Sequence, residues 1–147
     1  MSATTDVLTP VELVQVAHAC EDWAGNWYGQ QGGFTFGRSD CERYVSEGQL
    51  SKLCDRHTLK VVWAAVAAHL NAHPEILAAG RLSDTQRAEK QAARDEAARA
   101  LLAEAEVPYR DGRWDDALAL IDRAELASPD AVNFDRYRQV VAERRSP

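Results

Sequence analysis

Apolar residues recur every three or four positions along most of this chain, which is the period of an amphipathic α-helix. The first such segment begins at Pro10, a residue that suits the first helical position. Thr9 and Glu12 have the spacing of a capping box, in which each side chain bonds the backbone N–H of the other residue. The pattern predicts a helix from Pro10 to about Trp27, with an apolar face formed by Leu13, Val16, Cys20, Trp23 and Trp27.

The segment from about Asp55 to Ala72 is the most apolar part of the chain and is predicted to be the central core helix. Its apolar positions at helical spacing are Leu59, Val62, Trp63, Val66 and Leu70. Shorter helices are predicted at about 41–47, 50–53 and 75–79, and Gly80 is expected to end the last of them.

The second half begins with a long segment of strong helix formers that Ser83 is placed to cap. This helix is predicted to run from Asp84 to about Glu106, and Pro108 is expected to break or kink it. A last helix is predicted over about 130–144, and it is expected to pack Phe134, Tyr137 and Val140 or Val141 on the preceding hairpin.

These elements predict an all-α fold, a compact multi-helix domain of six to seven helices. We expect 1–147 to form a single domain. Within it, an N-terminal helical layer (10–80) contains a glycine-rich, aromatic loop (25–37). The remaining part (84–145) holds the long helix, a hairpin and a capping helix.

The hairpin carries the most recognisable pattern in the chain. Gly112 and Trp114 are followed by small and apolar residues at helical spacing, Trp114 is expected in the core, and Pro129 ends the segment. This order resembles the second half of a tetratricopeptide repeat, and the resemblance covers about one repeat, 101–129. The first half departs from the repeat, since Glu104 and Pro108 stand where a continuous apolar helix is expected. We therefore predict one TPR-like hairpin rather than an array, which needs about three repeats. By analogy, the resemblance implies binding to a protein.

Charge and composition exclude several classes of protein. The net charge is −6 and the sequence shows no basic face, so nucleic-acid binding is the least favoured of the alternative functions. That alternative would rest on four arginines near the C-terminus, Arg136, Arg138, Arg144 and Arg145, which acidic residues interrupt. No apolar run approaches a membrane span and no secretory signal is recognisable, so a cytoplasmic protein without a membrane partner is expected. Arginine outnumbers lysine fourteen to three, which is typical of a GC-rich bacterial genome.

The loop of residues 25–37 is the most function-like feature, because aromatic side chains dominate binding hot spots and glycines allow close approach. We predict a partner-binding role for Trp27, Tyr28, Phe34 and Phe36. The alternative is that Trp23, Trp27, Phe34 and Phe36 fold inward and anchor the loop on the core.

Cysteine and histidine spacings raise two further hypotheses. Cys54 and His57 are spaced as in zinc sites, and Cys41 with Cys20 would complete a Cys3His set. The same Cys54–His57 pair could also serve nucleophilic catalysis. His69 and His73 lie one helical turn apart, which is a geometry that metals use, although the motif lacks the glutamate of a zinc protease.

We assign no metal ligand, cofactor or catalytic residue from these spacings, and an enzyme is not expected. The prediction is a small cytosolic protein–protein interaction module or an accessory subunit of a larger assembly, with homo-oligomerisation left open. The alternative is a helical protein that binds a small molecule or zinc through the aromatic loop and Cys41, Cys54 and His57.

Overall fold

The computed structural model describes residues 7–24, 27, 43 and 45–146. Helix accounts for 78% of these residues, and none of them lies in a strand. The prediction of an all-α fold with six to seven helices is confirmed, since this part of the chain forms six α-helices and one 3-10 helix. None of the helices so described is long and apolar enough to cross a membrane.

The chain divides into two compact units, Met1–Asp84 and Thr85–Pro147. In unit 1 the helices are α1 (Pro10–Asp22), a 3-10 helix (Ser51–Asp55), α2 (Leu59–Ala72) and α3 (Glu75–Ala79). We refer to Thr85–Pro147 as unit 2. It contains α4 (Asp84–Arg110, whose first residue is the last of unit 1), α5 (Trp114–Ala127) and α6 (Phe134–Arg145). The expectation that 1–147 is one domain stays a prediction.

Helix α1 starts where the sequence predicts but ends five residues earlier, at Asp22 instead of Trp27. The capping box is complete: the Glu12 N–H donates to Thr9 Oγ1 at 3.1 Å, and the Thr9 N–H donates to Glu12 Oε1 at 2.9 Å. At the other end, Trp23 leaves the helical conformation and its indole N–H donates to Gln49 Oε1 at 2.8 Å. This bond connects the end of α1 to a residue that is distant in sequence.

Helix α2 is the core element of unit 1, as predicted, although it begins at Leu59 and not near Asp55. Thr58 caps it by accepting a hydrogen bond from the Val61 N–H, and the preceding residues form the separate 3-10 helix. Its buried face consists of Val62, Trp63, Val66, Ala67 and Leu70. Burial of each larger side chain contributes about 1.5–3 kcal/mol, and α2 has more buried apolar side chains than the other described helices of unit 1.

Helix α4 continues through Pro108 to Arg110, so the expected break at Pro108 is wrong, whereas the alternative of a kink stays a prediction. Pro108 lies in the last turn, where its missing N–H removes only one helical bond. Its own carbonyl accepts a hydrogen bond from the Arg113 N–H at 2.8 Å, and the Gly112 N–H donates to the Tyr109 carbonyl at 3.3 Å. These two bonds, with Gly112 at φ +77°, form a Schellman motif that ends the helix.

Small residues let the helices of unit 2 approach closely. Ala98 and Ala124 are fully buried, and the core also contains Leu102, Ala105, Ile121, Phe134 and Val141. Trp114 was expected in this core but is only partly buried, at its edge, with its ring edge-on to Tyr109 at 5.8 Å between centroids. The indole therefore covers the end of the core instead of filling it.

Polar contacts also connect α4, α5 and α6. The buried Ser128 hydroxyl donates to Asp95 Oδ1 at 2.6 Å, which ties the end of α5 to the middle of α4. This hydrogen bond is the largest cause that lowers the pKa of Asp95. Arg138 of α6 forms ion pairs with Glu125 and Asp122 of α5. The hydrogen bond to Glu125 is the main reason that the pKa of Arg138 is raised.

Candidate functional site

An open groove of about 550 Å³ runs along unit 2. One wall is a stripe on α4, where Leu102, Glu106 and Tyr109 recur at helical spacing. The opposite wall is formed by Tyr137 and Val140 of α6. Residues of α5 form the floor, including Ala117 and Ile121. The groove therefore exists because α4 and α6 flank α5 and small residues stand between them.

The interior of the groove is apolar and its rim is charged. Tyr137 is 41% exposed and is one of five large hydrophobic side chains that are exposed among the described residues. Arg99 and Arg110 lie on the α4 side of the rim, and Arg110 is 3.4 Å from the carboxylate of Glu106. The groove thus combines tyrosine and arginine, two residue types that are enriched at protein interfaces.

Tyr109 closes one end of the groove and is held from two sides. The Trp114 indole packs edge-on against its ring, and the Arg144 guanidinium lies 5.6 Å above the ring centroid. A cation over an aromatic face is attracted by the ring quadrupole. These contacts fix the orientation of the Tyr109 ring at the groove.

The aromatic loop contributes one described residue, Trp27. It is buried to 3% exposure and lies against Trp63 of α2, with ring centroids 6.2 Å apart. Tyr28, Phe34 and Phe36 lie outside the described residues, so their partner-binding role stays a prediction.

The structure pairs His57 with a carboxylate. Its Nε2 donates to Glu12 Oε1 at 3.0 Å, and Arg56 is 3.0 Å from the other oxygen of Glu12. Burial raises the pKa of Glu12, but the Thr9 N–H, His57 and Arg56 together outweigh it, so the pKa lies below its usual value. His57 Nδ1 is buried, and no described residue bonds it.

The two described cysteines are free thiols without an activating environment. Cys20 is fully buried, and burial strongly raises its pKa. Burial, followed by the charge of Asp55, also raises the pKa of Cys54. Neither thiol is therefore favoured as a thiolate. Cys41, the remaining member of the hypothetical zinc set, lies outside the described residues.

His69 and His73 do lie together at the end of α2. Their ring centroids are 4.5 Å apart, and His73 Nδ1 is 3.1 Å from Glu75 Oε1. Burial, and then the neighbouring His73, lower the pKa of His69. Among residues 7–24, 27, 43 and 45–146, no group of three or more histidine, cysteine or acidic side chains is arranged to hold a metal ion.

Three of the four arginines proposed as a basic tail have partners within unit 2. Arg138 binds carboxylates of α5, Arg144 lies over Tyr109, and Arg145 is 3.6 Å from Asp115. These contacts leave less positive charge for phosphate groups than the sequence suggested.

No family model, curated protein or solved structure matches the chain. The resemblance to a tetratricopeptide repeat therefore rests on the pattern of residues 101–129 alone.

The groove was not recognised in the sequence as a site. The last helix was expected to pack Phe134, Tyr137 and Val140 or Val141 on the hairpin. Phe134 and Val141 are buried, whereas Tyr137 remains exposed at the groove. The signal in the sequence was the spacing of three residues between Tyr137 and Val140, which places both on one face of the helix.

Proposed function

We propose that this protein is a small cytosolic protein–protein interaction module or an accessory subunit of a larger assembly, whose groove in unit 2 receives a segment of a partner protein. The observation that carries the proposal is the apolar groove between α4 and α6, with the exposed Tyr137 at its wall. The TPR-like pattern of the hairpin that forms part of this groove supports the same function by analogy.

The shape of the groove favours a protein segment over a small molecule. Its volume falls within the range of small-molecule pockets, about 300–1,000 Å³. However, four of its lining residues, Arg99, Ala103, Glu106 and Arg110, are exposed to solvent along one side of α4. A small ligand there would stay largely in water, whereas a polypeptide could cover the apolar floor and pair with the rim charges.

A site-specific cross-linking experiment tests the proposal. A photoreactive amino acid is placed at Ala103 in the groove and, as the matched control, at the neighbouring exposed Glu104, which does not line it. Irradiation in cells of the source organism should join one defined partner from position 103 and not from position 104. Equal cross-linking from both positions would argue against the groove.

The purified partner then allows an affinity measurement. Tyr137→Ala should weaken binding by roughly tenfold or more, which is the loss expected for an interface hot spot. Gln139→Ala, an exposed change on the same helix outside the groove, should bind like the wild type. Wild-type affinity in the folded Tyr137→Ala protein would overturn the proposal.

A further inference from the structure

We propose that His69 and His73, at the C-terminal end of α2, form a two-histidine site for a divalent transition-metal cation such as Zn²⁺ or Ni²⁺. The spacing of four residues places both imidazoles on one side of the helix end. Their ring centroids are 4.5 Å apart and the ring planes are inclined by 36°. The two side chains are therefore close enough to share one cation.

Glu75 prepares His73 for coordination. Its Oε1 is 3.1 Å from His73 Nδ1, and an ionised carboxylate can only accept a hydrogen bond. The proton of the neutral imidazole therefore lies on Nδ1, which leaves the lone pair on Nε2. This carboxylate–histidine arrangement is the one that orients metal-binding histidines in proteins. A contact between two histidine rings alone would not require this hydrogen bond to Glu75.

The surroundings also suit a cation. The carboxylates of Glu21 and Glu75 act electrostatically on His69, so negative charge is already present beside the pair. The His73 side chain is 48% exposed, which gives an ion access from solvent. Two imidazoles leave coordination positions for water or for a donor from another molecule, in contrast to a closed structural zinc site. Imidazole nitrogen is a preferred ligand for zinc, nickel and copper ions.

Calorimetric titration of the full-length, tag-free chain with ZnCl₂ and with NiCl₂ tests the site. We expect saturable binding of one ion per chain. His73→Gln should abolish it, and Glu75→Gln should weaken it by about tenfold, the lower end of the effect of removing such an orienting carboxylate. His18→Gln, which removes a histidine outside the pair, should bind like the wild type.

Two results would overturn the proposal. One is the absence of saturable binding in the wild type. The other is unchanged binding in His73→Gln, whose exposed position makes a folding defect easy to exclude by circular dichroism. NMR spectra of the histidine ring nitrogens provide a second measurement, in which the metal should perturb His73 Nε2 and leave His57 unaffected.

Discussion

At the scale of single residues, Glu12 joins segments of unit 1 that are distant in sequence. Its carboxylate accepts hydrogen bonds from the Thr9 N–H at 2.9 Å and from His57 Nε2 at 3.0 Å, and it forms an ion pair with Arg56. A charged group at 4% exposure is stable only when such partners replace water. Glu12 therefore connects the start of α1 to the segment that follows the 3-10 helix.

Replacement of Glu12 by glutamine should reduce the free energy of unfolding by roughly 1–3 kcal/mol at pH 7, because hydrogen bonds to a charged group are lost. The pKa of Glu12 is lower in the folded protein, so its contribution is full above the ordinary value of 4.5 and is lost as the pH falls through the folded pKa. Wild-type stability should therefore decline more steeply below about pH 4.5 than that of Glu12→Gln.

Urea unfolding at pH 7 and at lower pH, followed by tryptophan fluorescence, measures this difference. Three of the four tryptophans, Trp23, Trp27 and Trp63, lie in unit 1 and report on its unfolding. Glu47→Gln at an exposed position is the matched control and should leave stability and its pH dependence unchanged. Parallel acid profiles of the wild type and Glu12→Gln would contradict the assigned role.

The same residue shows what sequence reasoning could reach. The Thr9–Glu12 capping box is a local interaction over three residues, so its residue types and spacing sufficed to predict it. The Glu12–His57 contact spans 45 residues and depends on the packing of unit 1. For that reason His57 suggested a metal ligand in the sequence, whereas the structure gives it a carboxylate partner.

At the scale of elements, helix interiors were predicted better than helix ends. The spacing of apolar residues predicted α2 and α5, because the buried face of a helix depends on residues that are close in sequence. The ends were decided by other contacts: Trp23 bonds Gln49, and Pro108 accepts a bond from Arg113. The rule that proline breaks a helix applies to helix interiors, and it therefore failed for Pro108 in the last turn of α4.

Gly112 provides the element-scale prediction. Its φ of +77° is unfavourable for residues with a side chain, and a Cβ there would meet only Trp114 Cζ2 at an ordinary 3.8 Å. Gly112→Ala should therefore lower the free energy of unfolding by about 1–2 kcal/mol through backbone strain alone. Gly112→Asn should cost less, because asparagine visits this conformation more readily.

Both variants are made in a protein whose other tryptophans are replaced by phenylalanine. Chemical denaturation, followed by the fluorescence of Trp114, then measures the free energy of unfolding of each variant and of this parent protein. Equal costs for alanine and asparagine would show that side-chain crowding, and not the positive φ, determines the effect. No cost in either variant would contradict the role of the Schellman motif in ending α4.

At the scale of the whole molecule, the sequence predicted the all-α class but could not show how the cores are composed. The division into units depends on which helices share buried contacts. Within the part of the chain that the structure describes, the buried members of one core cluster lie between Leu8 and Ile76, and those of the other lie between Ala98 and Val141. The groove could not be predicted from the sequence either, because its two walls come from α4 and α6. Tyr109 and Tyr137 reach one surface through the packing of these helices on α5.

The separate core of unit 2 leads to the last prediction, that a fragment of residues 84–147 folds on its own. Its three helices follow one another through short connections, so its contacts are mostly local and should form without the rest of the chain. A fragment of this size buries a smaller share of its surface than a larger domain and should be only marginally stable. Circular dichroism should show a helical spectrum and a cooperative thermal transition. Ala124→Glu, which places a charge at a fully buried position, should abolish that transition. A fragment that melts without cooperativity would instead support the expectation of a single domain, with the core of unit 2 dependent on the remainder of the chain.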